Sequence, residues 1–447
     1  MKPTEPAAGQ FEVVSISELA TLEKPTRDSA IETYRQAFAR EPYNEAFTTE
    51  EAEGALEYIL EQKGDLVIGK LGTKAVALAG GRRKADDTYY IEELAVAPEV
   101  QGKGYGRATL TRLLETAKAP SYEIRTTVRN EKAISLYTSS GFTEESGTEV
   151  VAQHRQDGRL ALDERVYLSK PPLPEQERRD KLKRAVIAYP SGNTTAIVFD
   201  QFLDGDRKKL NEQVMQTWKA LKPEQPEIEQ CCFVTLPRNP NAVARVEMFG
   251  GEFCGNATRS VAWLITKGQD YRGLIEVSGV ERPLEFSVKD GQVAVEMPLP
   301  EAAELVQSVP EGSLVQLDGI AQLVVTNPKD VQTPRQLLTD LLRTNKYGLA
   351  DQPAVGVSYY DEPSGKAEFC VWVNAIDTIF DETACGSGTC AIGVAESAKT
   401  QQPVELTVVQ PSGESIRTET QYANDAVTKS FISGEVAVLY DGELKLS

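Results

Sequence analysis

Two matching stretches decide how this chain folds. Glu252–Arg259 reads Glu-Phe-Cys-Gly-Asn-Ala-Thr-Arg, and Glu382–Thr389 reads Glu-Thr-Ala-Cys-Gly-Ser-Gly-Thr. Each stretch follows strand-like apolar residues and precedes a helical pattern, which indicates an internal duplication. The sequence therefore predicts two pseudo-symmetric lobes with a boundary near residue 300, and each lobe presents its cysteine, Cys254 or Cys385, just before a helix.

The helix starts suggest what these cysteines do. The pattern predicts helices over 257–267 and 389–399. A thiol beside the unpaired N–H groups of a helix N-terminus is expected to have a pKa below its free value of about 8.5. If both helices point into one cavity, one sulfur can remove a proton from a carbon while the other donates to the opposite face. This is the chemistry of an amino-acid racemase or epimerase without a cofactor, with Cys254 and Cys385 as the catalytic pair.

Composition limits the partners. The chain has 447 residues, enough for two to three domains. Its net charge of -19 and pI near 4.8 argue against nucleic acid or an anionic membrane. No apolar run approaches the roughly 18 residues of a membrane span, and Met1–Gln10 is not a signal-peptide pattern. The sequence predicts a cytoplasmic protein that acts on a small molecule; it leaves open whether the protein forms a homodimer.

Cysteine and histidine usage excludes several kinds of site. All 6 cysteines lie after residue 230 and none forms a Cys-x-x-Cys pair, so neither a disulfide framework nor a zinc site is predicted. His154 is the single histidine. A single histidine nearly excludes Ser-His-Asp catalysis, Cys-His catalysis and histidine-rich metal sites.

A charged, proline-rich segment separates two units. Residues 171–184 begin with Pro-Pro-Leu-Pro and continue without an apolar face, which is typical of a linker. Residues 1–170 form one predicted unit and residues 185–447 the other. Both show mixed strands and helices, so the fold class is α/β (α+β).

The first unit contains a strand, a glycine-rich turn and a helix start, in that order. Such a turn holds phosphate groups, because glycines let the backbone approach and the N–H groups face the anion. Glu92–Pro98 with the following Gln-Gly-Lys-Gly-Tyr-Gly resembles the acetyl-CoA motif of the GCN5-related N-acetyltransferase (GNAT) family. The stretch Arg129–Ile134, with Leu-Tyr and Gly-Phe after it, also resembles that family. The resemblance covers roughly residues 10–170.

The GNAT resemblance implies roles for particular residues. Glu93 corresponds to a frequent general base, and Tyr137 to a residue that often protonates the leaving thiolate. A solvated carboxylate and a packed aromatic side chain are the alternatives. The resemblance implies acetyl-CoA as cofactor, held by Leu94, Ala95, Val96, Gln101, Gly102, Lys103, Gly104, Tyr105, Gly106 and Asn130.

The second unit resembles the diaminopimelate epimerase family over about residues 185–447. The matching segments are Ser-Gly-Asn-Thr-Thr-Ala-Ile-Val from Ser191, the two cysteine motifs, and the weaker Thr-Asn-Pro at 326–328. The resemblance implies two lobes, each a β-barrel-like sheet around a central helix, with catalysis in the cleft between them. Phenazine-biosynthesis isomerases share this fold but lack the cysteine pair, which argues against that branch.

The resemblance, together with the helix starts, also predicts substrate-binding residues. Backbone N–H groups after each cysteine would bind the α-carboxylate, and asparagines would orient the substrate. Turn or cap chemistry is the alternative for the asparagines. The predicted set is Asn193, Gly255, Asn256, Asn327, Gly386, Ser387, Gly388 and Thr389, and no metal ligands are predicted.

Two departures bear on the substrate. Diaminopimelate epimerases carry a Glu-Arg-Gly whose arginine grips a distal carboxylate, but Ala375–Phe380 contains no arginine. Lys366-Ala367 also stands where an asparagine usually precedes a strand. The chain therefore looks more like the histidine racemases of bacterial metallophore pathways.

Three alternatives stay open at this stage. The chain could be a diaminopimelate epimerase. It could be an N-acetyltransferase whose epimerase-like half only binds a ligand. In the third alternative the GNAT half is degenerate and only senses acetyl-CoA. The amine that would be acetylated, and any coupling between the two halves, are not given by the sequence.

Overall fold

The computed structural model describes residues 10–155, 159–171, 182–199, 207–300, 305–328, 332–374 and 377–445. The chain divides into two compact units, Met1–Lys181 and Leu182–Ser447. Most of the predicted linker lies outside the described residues, and its last three residues belong to the strand Leu182–Pro190, which opens the second unit. Within the described ranges, no helix is long and apolar enough to cross a membrane.

The first unit is one sheet with helices packed on it. Its strands are β1 (Phe11–Ile16), β2 (Asp65–Leu71), β3 (Lys74–Arg83), β4 (Thr88–Val96), β5 (Ser121–Thr127), β6 (Thr143–His154) and β7 (Leu160–Lys170). Its helices are α1 (Lys24–Phe38), α2 (Thr49–Glu61), α3 (Tyr105–Ala117) and α4 (Glu131–Ser139). The strand order is β1-β2-β3-β4-β5-β7-β6. Separate apolar clusters cover the sheet, one including Leu110 of α3 and another Leu56 of α2.

The sheet opens between β4 and β5. These strands pair in parallel from Thr88 to Ile91 of β4, and their register ends there. Immediately beyond, Gly80 of β3 pairs with Glu93 while Gly81 pairs with Ile91, so Glu92 is an extra residue in β4. A β-bulge bends its strand and increases the local twist. The carboxyl-terminal part of β4 thus turns away from β5 just before the glycine-rich turn.

The second unit is built mainly from strands. These are β8 (Leu182–Pro190), β9 (Thr195–Phe199), β10 (Gln230–Thr235), β11 (Ala242–Met248), β12 (Tyr271–Val277), β13 (Leu284–Lys289), β14 (Gln292–Met297), β15 (Val306–Val309), β16 (Gly312–Leu317), β17 (Ile320–Thr326), β18 (Ala354–Asp361), β19 (Lys366–Val373), β20 (Thr378–Glu382), β21 (Val404–Val409), β22 (Ser415–Ala423), β23 (Ala426–Gly434) and β24 (Val436–Lys445). The helices are α5 (Arg207–Leu221), α6 (Gly255–Thr266), α7 (Pro334–Arg343) and α8 (Gly386–Thr400).

Strand pairing repeats within this unit, as the two cysteine motifs predict. In the first lobe β8–β9 is antiparallel, β9–β10 parallel, β10–β11 antiparallel and β11–β12 parallel. In the second lobe β16–β17, β17–β18, β18–β19 and β19–β21 follow the same sequence of directions. The helices α6 and α8 follow β11 and β19 respectively, with β20 inserted before α8. Both helices are almost entirely buried, so each is the central helix of its lobe.

The last strand of the chain returns to the first lobe. After β14 the chain enters β15, which pairs with β16 of the second lobe. After β23 it enters β24, which pairs with β8 of the first lobe. Strands β14 and β23 pair with each other, and the whole strand set forms one closed ring. The predicted boundary near residue 300 did not anticipate that the C-terminal strand returns to the first lobe, where it covers an edge that would otherwise be open.

Candidate active sites

The two cysteines are the N-caps of the central helices. α6 starts at Gly255 and α8 at Gly386, two and three residues earlier than the sequence predicted. Because a side-chain acceptor on the N-cap satisfies an unpaired helix N–H, each sulfur lies over the first turn of its helix. Cys254 Sγ accepts from the N–H of Ala257 at 3.4 Å. Its partner Cys385 Sγ accepts in the same way from Gly388, also at 3.4 Å.

The helix starts of α6 and α8 converge on one side chain. A Cβ added to Gly255 would lie 2.7 Å from Ile432 Cδ1, and one added to Gly386 would lie 2.9 Å from the same atom. In addition, the Asn256 side-chain amide donates to the carbonyl of Ala384 at 3.2 Å. The first turn of one helix is therefore bonded to the residue that precedes the other cysteine. A side chain at either position would therefore require the side chain of Ile432 to move.

Burial changes the expected ionisation of the thiols. It raises the pKa of Cys254 to about 11 and the pKa of Cys385 to about 12. The backbone N–H groups of Ala257 and Gly388 do lower these pKa values, as the helix-start argument requires. Desolvation is the larger effect, because an ionised sulfur loses its hydration in a closed site. The sequence-based expectation of a lowered pKa is thus wrong in sign for the protein alone.

Three glutamines position the cysteine motifs, and none of them is among the residues predicted from the sequence. Cys254 donates its S–H to Gln230 Oε1 at 3.0 Å. Gln410 Oε1 accepts the N–H of Cys385 at 3.0 Å. Gln322, which is 1% exposed on β17, donates to Ser387 Oγ at 3.0 Å, and that hydroxyl lies 3.4 Å from Cys385 Sγ. A polar residue within an otherwise apolar strand was the available signal for Gln322.

The predicted asparagines have different surroundings. Asn193 is buried and its Nδ2 donates to Glu229 Oε2 at 3.0 Å. Glu229 also accepts from Thr383 Oγ1 at 3.0 Å, two residues before Cys385, so Asn193 belongs to the cysteine region. Asn327 is exposed after β17, and its described side-chain bonds go to Glu362. Those contacts place it at a turn and do not join it to the cysteines.

Acidic side chains surround the cysteine pair. Glu382 ends β20 and is half-buried, and burial followed by the charge of Glu229 raises its pKa to about 7. Glu252, two residues before Cys254, lies at the surface, and partial desolvation of its carboxylate raises its pKa. The charge of Glu382 in turn raises the pKa of both thiols. Such a site favours a positively charged ligand, which would lower all of these pKa values. Part of the segment without an arginine, residues 375 and 376, lies outside the described residues.

In the first unit, the glycine-rich turn forms an open cradle. Gly102 and Gly104 have φ of +79° and +85°, a left-handed conformation that favours glycine, and a Cβ on either would meet nothing within 4 Å. α3 starts at Tyr105, whose ring stacks on Phe11 with centroids 4.3 Å apart. Gln101 Nε2 donates to the carbonyl of Val96 at 3.3 Å. Exposed N–H groups at a helix start, beside a strand that has left its neighbour, fit the pyrophosphate and pantetheine parts of acetyl-CoA.

The two predicted catalytic residues of this unit, Glu93 and Tyr137, are shielded from solvent to different degrees. Glu93 is half-buried, accepts from Tyr34 Oη at 3.1 Å, and has its pKa raised to about 8 by burial. Tyr137 is buried, and burial together with the charges of Tyr43 and Glu93 raises its pKa well above the ordinary value. Asn130, a predicted acetyl-CoA contact, caps α4 through a bond from Ala133 N at 3.1 Å.

These observations define the class of protein: a racemase or epimerase unit with paired cysteines, joined to an acetyltransferase unit. Residues 185–444 match the family described as "Histidine racemase CntK N-terminal domain", and the chain belongs to this family. Residues 27–142 match the acetyltransferase (GNAT) family, so the first unit is a GNAT domain. The predicted fusion of a GNAT domain with a histidine-racemase-like unit is confirmed.

Individual relatives agree with these matches. A histidine racemase of Fusobacterium nucleatum is 28% identical over 270 residues, which is 57% of this chain and 94% of that protein. A histidine racemase of Staphylococcus aureus is 25% identical over 277 residues, 59% of this chain and 98% of the relative.

Solved structures also resemble each unit. A hydroxyproline epimerase from Agrobacterium vitis with bound trans-4-hydroxy-L-proline has a TM-score of 0.41 at 13% identity, over 59% of this chain and 92% of its own. The ribosomal-protein-S18-alanine N-acetyltransferase of Escherichia coli has a TM-score of 0.29 at 19% identity, over 37% of this chain and 97% of its own.

Proposed function

We propose that residues 182–445 invert the Cα of a free amino acid, with Cys254 and Cys385 as the paired acid and base. The observation that carries this proposal is the convergence of two cysteine-capped helix starts on Ile432. Because each sulfur belongs to a different lobe, the two thiols can act on opposite faces of one carbon. No pyridoxal phosphate or metal takes part in the proposed reaction.

The proposed reaction exchanges one proton on each face. One cysteine, as thiolate, takes the α-proton: the Cα–H bond breaks, an S–H bond forms and the electron pair stays on the substrate. The other cysteine gives its S–H proton to the opposite face and becomes the thiolate. N–H groups of Gly255, Gly386 and Ser387 would bind the α-carboxylate and stabilise the negative charge that develops on it. The Gly388 N–H is already directed at Cys385 Sγ, so it stabilises the sulfur instead.

A cationic substrate would lower the high pKa of the thiols. The α-ammonium group brings a positive charge close to both sulfurs, and an opposite charge within about 4–6 Å lowers the pKa of a thiol by about one unit or more. Glu382 and Glu252 would pair with this ammonium or with a basic side chain. We propose histidine as the preferred substrate, on the acidic surroundings of the site and on the histidine racemase family of the chain.

Cα exchange tests this proposal directly. The full chain, without added pyridoxal phosphate, should incorporate solvent deuterium at Cα of L-histidine, and a panel of other amino acids including diaminopimelate defines the preference. Cys254→Ala and Cys385→Ala should each abolish interconversion, whereas Cys390→Ala, a buried thiol five residues after Cys385, is the matched control. Racemisation by either single variant, or the absence of exchange with every amino acid, would disprove the paired-thiol mechanism.

For the first unit we propose transfer of an acetyl group to an amine. Acetyl-CoA supplies an activated acetyl group when it is bound. The turn Gln101–Gly106 would hold its pyrophosphate, and the backbone of Leu94–Val96 would hold the pantetheine chain. Glu93, with its pKa near 8, would accept the proton of the amine, and Tyr137 would donate a proton to the departing sulfur.

We further propose that both units act on the same amino acid. A racemase alone leaves equal amounts of two enantiomers, because their free energies are equal. Acetylation of one enantiomer would remove it from this equilibrium and draw the remainder toward it. Chiral chromatography of L-histidine incubated with the enzyme, with and without acetyl-CoA, decides this point: the proposal requires one acetylated enantiomer to exceed half of the total, and racemisation with no acetylated amino acid would refute it.

A further inference from the structure

Cys254 is held as a hydrogen-bond donor. Its Sγ lies 3.0 Å from Oε1 of Gln230, and a carbonyl oxygen only accepts hydrogen bonds, so the S–H proton lies between these two atoms. The backbone N–H of Ala257 donates to the same sulfur at 3.4 Å. A hydrogen bond that only the neutral thiol can donate stabilises the protonated form of Cys254.

A chain of hydrogen bonds that ends at a carboxylate fixes which end of the Gln230 amide faces Cys254. Glu229 accepts from Asn193 Nδ2 at 3.0 Å, so the other end of that amide, Oδ1, is the one that faces Gln230 Nε2. Thr195 Oγ1 donates to the same Oδ1 at 3.0 Å and accepts from Gln230 Nε2 at 2.9 Å. The Gln230 nitrogen therefore has two acceptors on that side, and its oxygen is the atom left to face Cys254.

Cys385 is surrounded by donors instead. The backbone N–H of Gly388 donates to its Sγ at 3.4 Å, and Ser387 Oγ lies at the same distance. Gln322 Nε2 donates to that hydroxyl oxygen at 3.0 Å, while Ser358 Oγ donates to Gln322 Oε1 at 3.2 Å. Because Ser387 Oγ already accepts from Gln322, its own proton can be directed at the sulfur of Cys385. Donors of this kind stabilise a thiolate, and both Ser387 and Gly388 lower the pKa of Cys385.

The internal duplication is broken at these side chains. The residue two places after Cys385 is Ser387, whereas the residue two places after Cys254 is Asn256, whose amide donates to the carbonyl of Ala384 and not to the sulfur. The motifs otherwise agree in the N–H that caps each sulfur and in the threonine hydroxyl that bonds each cysteine carbonyl. The two sulfurs therefore differ in their side-chain partners: an acceptor at the first and a donor at the second.

We propose that these hydrogen bonds make the cysteine pair unequal: Cys254 enters the reaction as the acid and Cys385 as the base. This assignment rests on the proposed function. Gln230 acts through Cys254 and Gln322 acts through Ser387, so both glutamines are positioning residues. The resting enzyme reacts first with the enantiomer whose α-proton faces Cys385.

The protons balance over one turnover. As the cationic substrate binds, Cys385 releases its proton to solvent. Its thiolate then takes the α-proton: the Cα–H bond breaks, an S–H bond forms and the electron pair stays on the substrate. Cys254 gives its S–H proton to the opposite face of Cα and is left as the thiolate. Solvent returns a proton to Cys254 after the product leaves.

Charged groups near the pair act on the same balance. In the protein alone, burial followed by the charge of Glu382 raises the pKa of Cys385 to about 12, against about 11 for Cys254. The buried cation Arg259 favours ionisation of Cys254, since the charge of Cys254 raises the pKa of Arg259, while Glu252 opposes it. A substrate ammonium that pairs with Glu382 removes the effect of this carboxylate on Cys385. The hydrogen bonds then decide which thiol loses its proton.

The S–H stretching band in the infrared tests the donation by Cys254 without any turnover, because a hydrogen bond weakens the S–H bond and lowers its frequency. The difference between the full chain and Cys254→Ala gives the Cys254 band. Gln230→Leu should move this band to higher frequency. Gln230→Glu loses the same Nε2 donor but keeps an acceptor oxygen, so its band should stay low. The band of Cys390, which donates to Ser430 Oγ at 3.4 Å, should move in neither variant. A Cys254 band that Gln230→Leu leaves in place would overturn the proposal.

Deuterium exchange without inversion tests the roles of the two cysteines in the reaction. A variant with one cysteine of the pair can remove the α-proton and return a solvent deuteron to the same face. The assay uses histidine, or whichever amino acid the full chain racemises. Cys254→Ala should exchange one enantiomer through Cys385 about tenfold faster than Cys385→Ala exchanges the other through Cys254. Equal rates, or faster exchange by Cys385→Ala, would overturn the proposal, while a wild-type protein that exchanges no amino acid would refute the proposed function instead.

Second substitutions separate the hydrogen bonds from packing. Gln230→Leu added to Cys385→Ala should speed exchange by Cys254 about tenfold, a gain that a loss of packing does not produce. Ser387→Ala added to Cys254→Ala should slow exchange by Cys385 by a similar factor, and it decides the matter if the leucine variant does not fold. Exchange by Cys254 that stays unchanged or slows in Gln230→Leu, or exchange by Cys385 that is unchanged in Ser387→Ala, would refute the assignment.

Discussion

Replacing Gly386 with alanine tests whether the two helix starts must meet at Ile432. The new methyl would lie 2.9 Å from Ile432 Cδ1, and the next atom, Asn256 Oδ1, is at 3.6 Å. Ile432 is fully buried, so it has little room to move. Ile432→Val removes the atom that is struck. The two substitutions therefore form a double-mutant cycle: Gly386→Ala adds one methyl group, and Ile432→Val removes the methyl group that it would contact.

The expected magnitudes follow from that geometry. Overpacking of a core costs roughly 1–3 kcal/mol, and alanine in place of a helical glycine returns up to about 1 kcal/mol. Gly386→Ala should thus lower the free energy of unfolding by about 1–2 kcal/mol. Ile432→Val alone should cost about 1 kcal/mol, since it leaves a small cavity. In the double variant the alanine methyl fills that cavity, so stability should return to within about 1 kcal/mol of wild type.

Tryptophan fluorescence during urea unfolding measures this cycle in the second unit alone. All 3 tryptophans belong to that unit: Trp218, Trp263 and Trp372. Gly54→Ala, at an exposed glycine of α2 with nothing within 4 Å, is the control and should leave the tryptophan transition unchanged. Gly255→Ala should be rescued less by Ile432→Val, because Met297 Sδ would remain 3.1 Å from its methyl. Strictly additive losses for Gly386→Ala and Ile432→Val would refute the shared contact.

Further predictions concern charged and backbone positions. Gly104→Asp should abolish acetyl-CoA binding in calorimetry of the full chain, while Gly72→Asp, another exposed glycine with positive φ, should retain it. Acetyl transfer should rise with pH around the Glu93 pKa of about 8, because the ionised form is the base, and Glu93→Gln should lose both the transfer and this dependence. Glu382 has its pKa raised from 4.5 to about 7, so its ionisation destabilises the fold as pH rises through that window. Glu382→Gln should therefore be more stable than wild type at pH 8, by at most about 3 kcal/mol, and equal to it below about pH 4.5; a constant difference would contradict this.

The sequence was sufficient where neighbouring residues decide the structure. The cysteines before α6 and α8, the glycine-rich turn before α3 and the repeat of two lobes all depend on local backbone preferences and on apolar patterns. The structure differs from the predicted helices α6 and α8 in that each helix begins at the residue directly after its cysteine. Such features depend on the hydrogen bonds that a few consecutive residues must make, so they can be predicted from the sequence.

The tertiary structure decided what depends on distant residues. Burial, which comes from packing of both lobes around the thiols, raises the pKa values that the helix starts alone would lower. Gln230, Gln322 and Glu229 become neighbours of the cysteines because strands far apart in sequence meet there. The return of β24 to the first lobe likewise has no local signal. Desolvation and strand partners are properties of the assembled core, so the sequence identified the candidate reacting groups and the fold determined their environment.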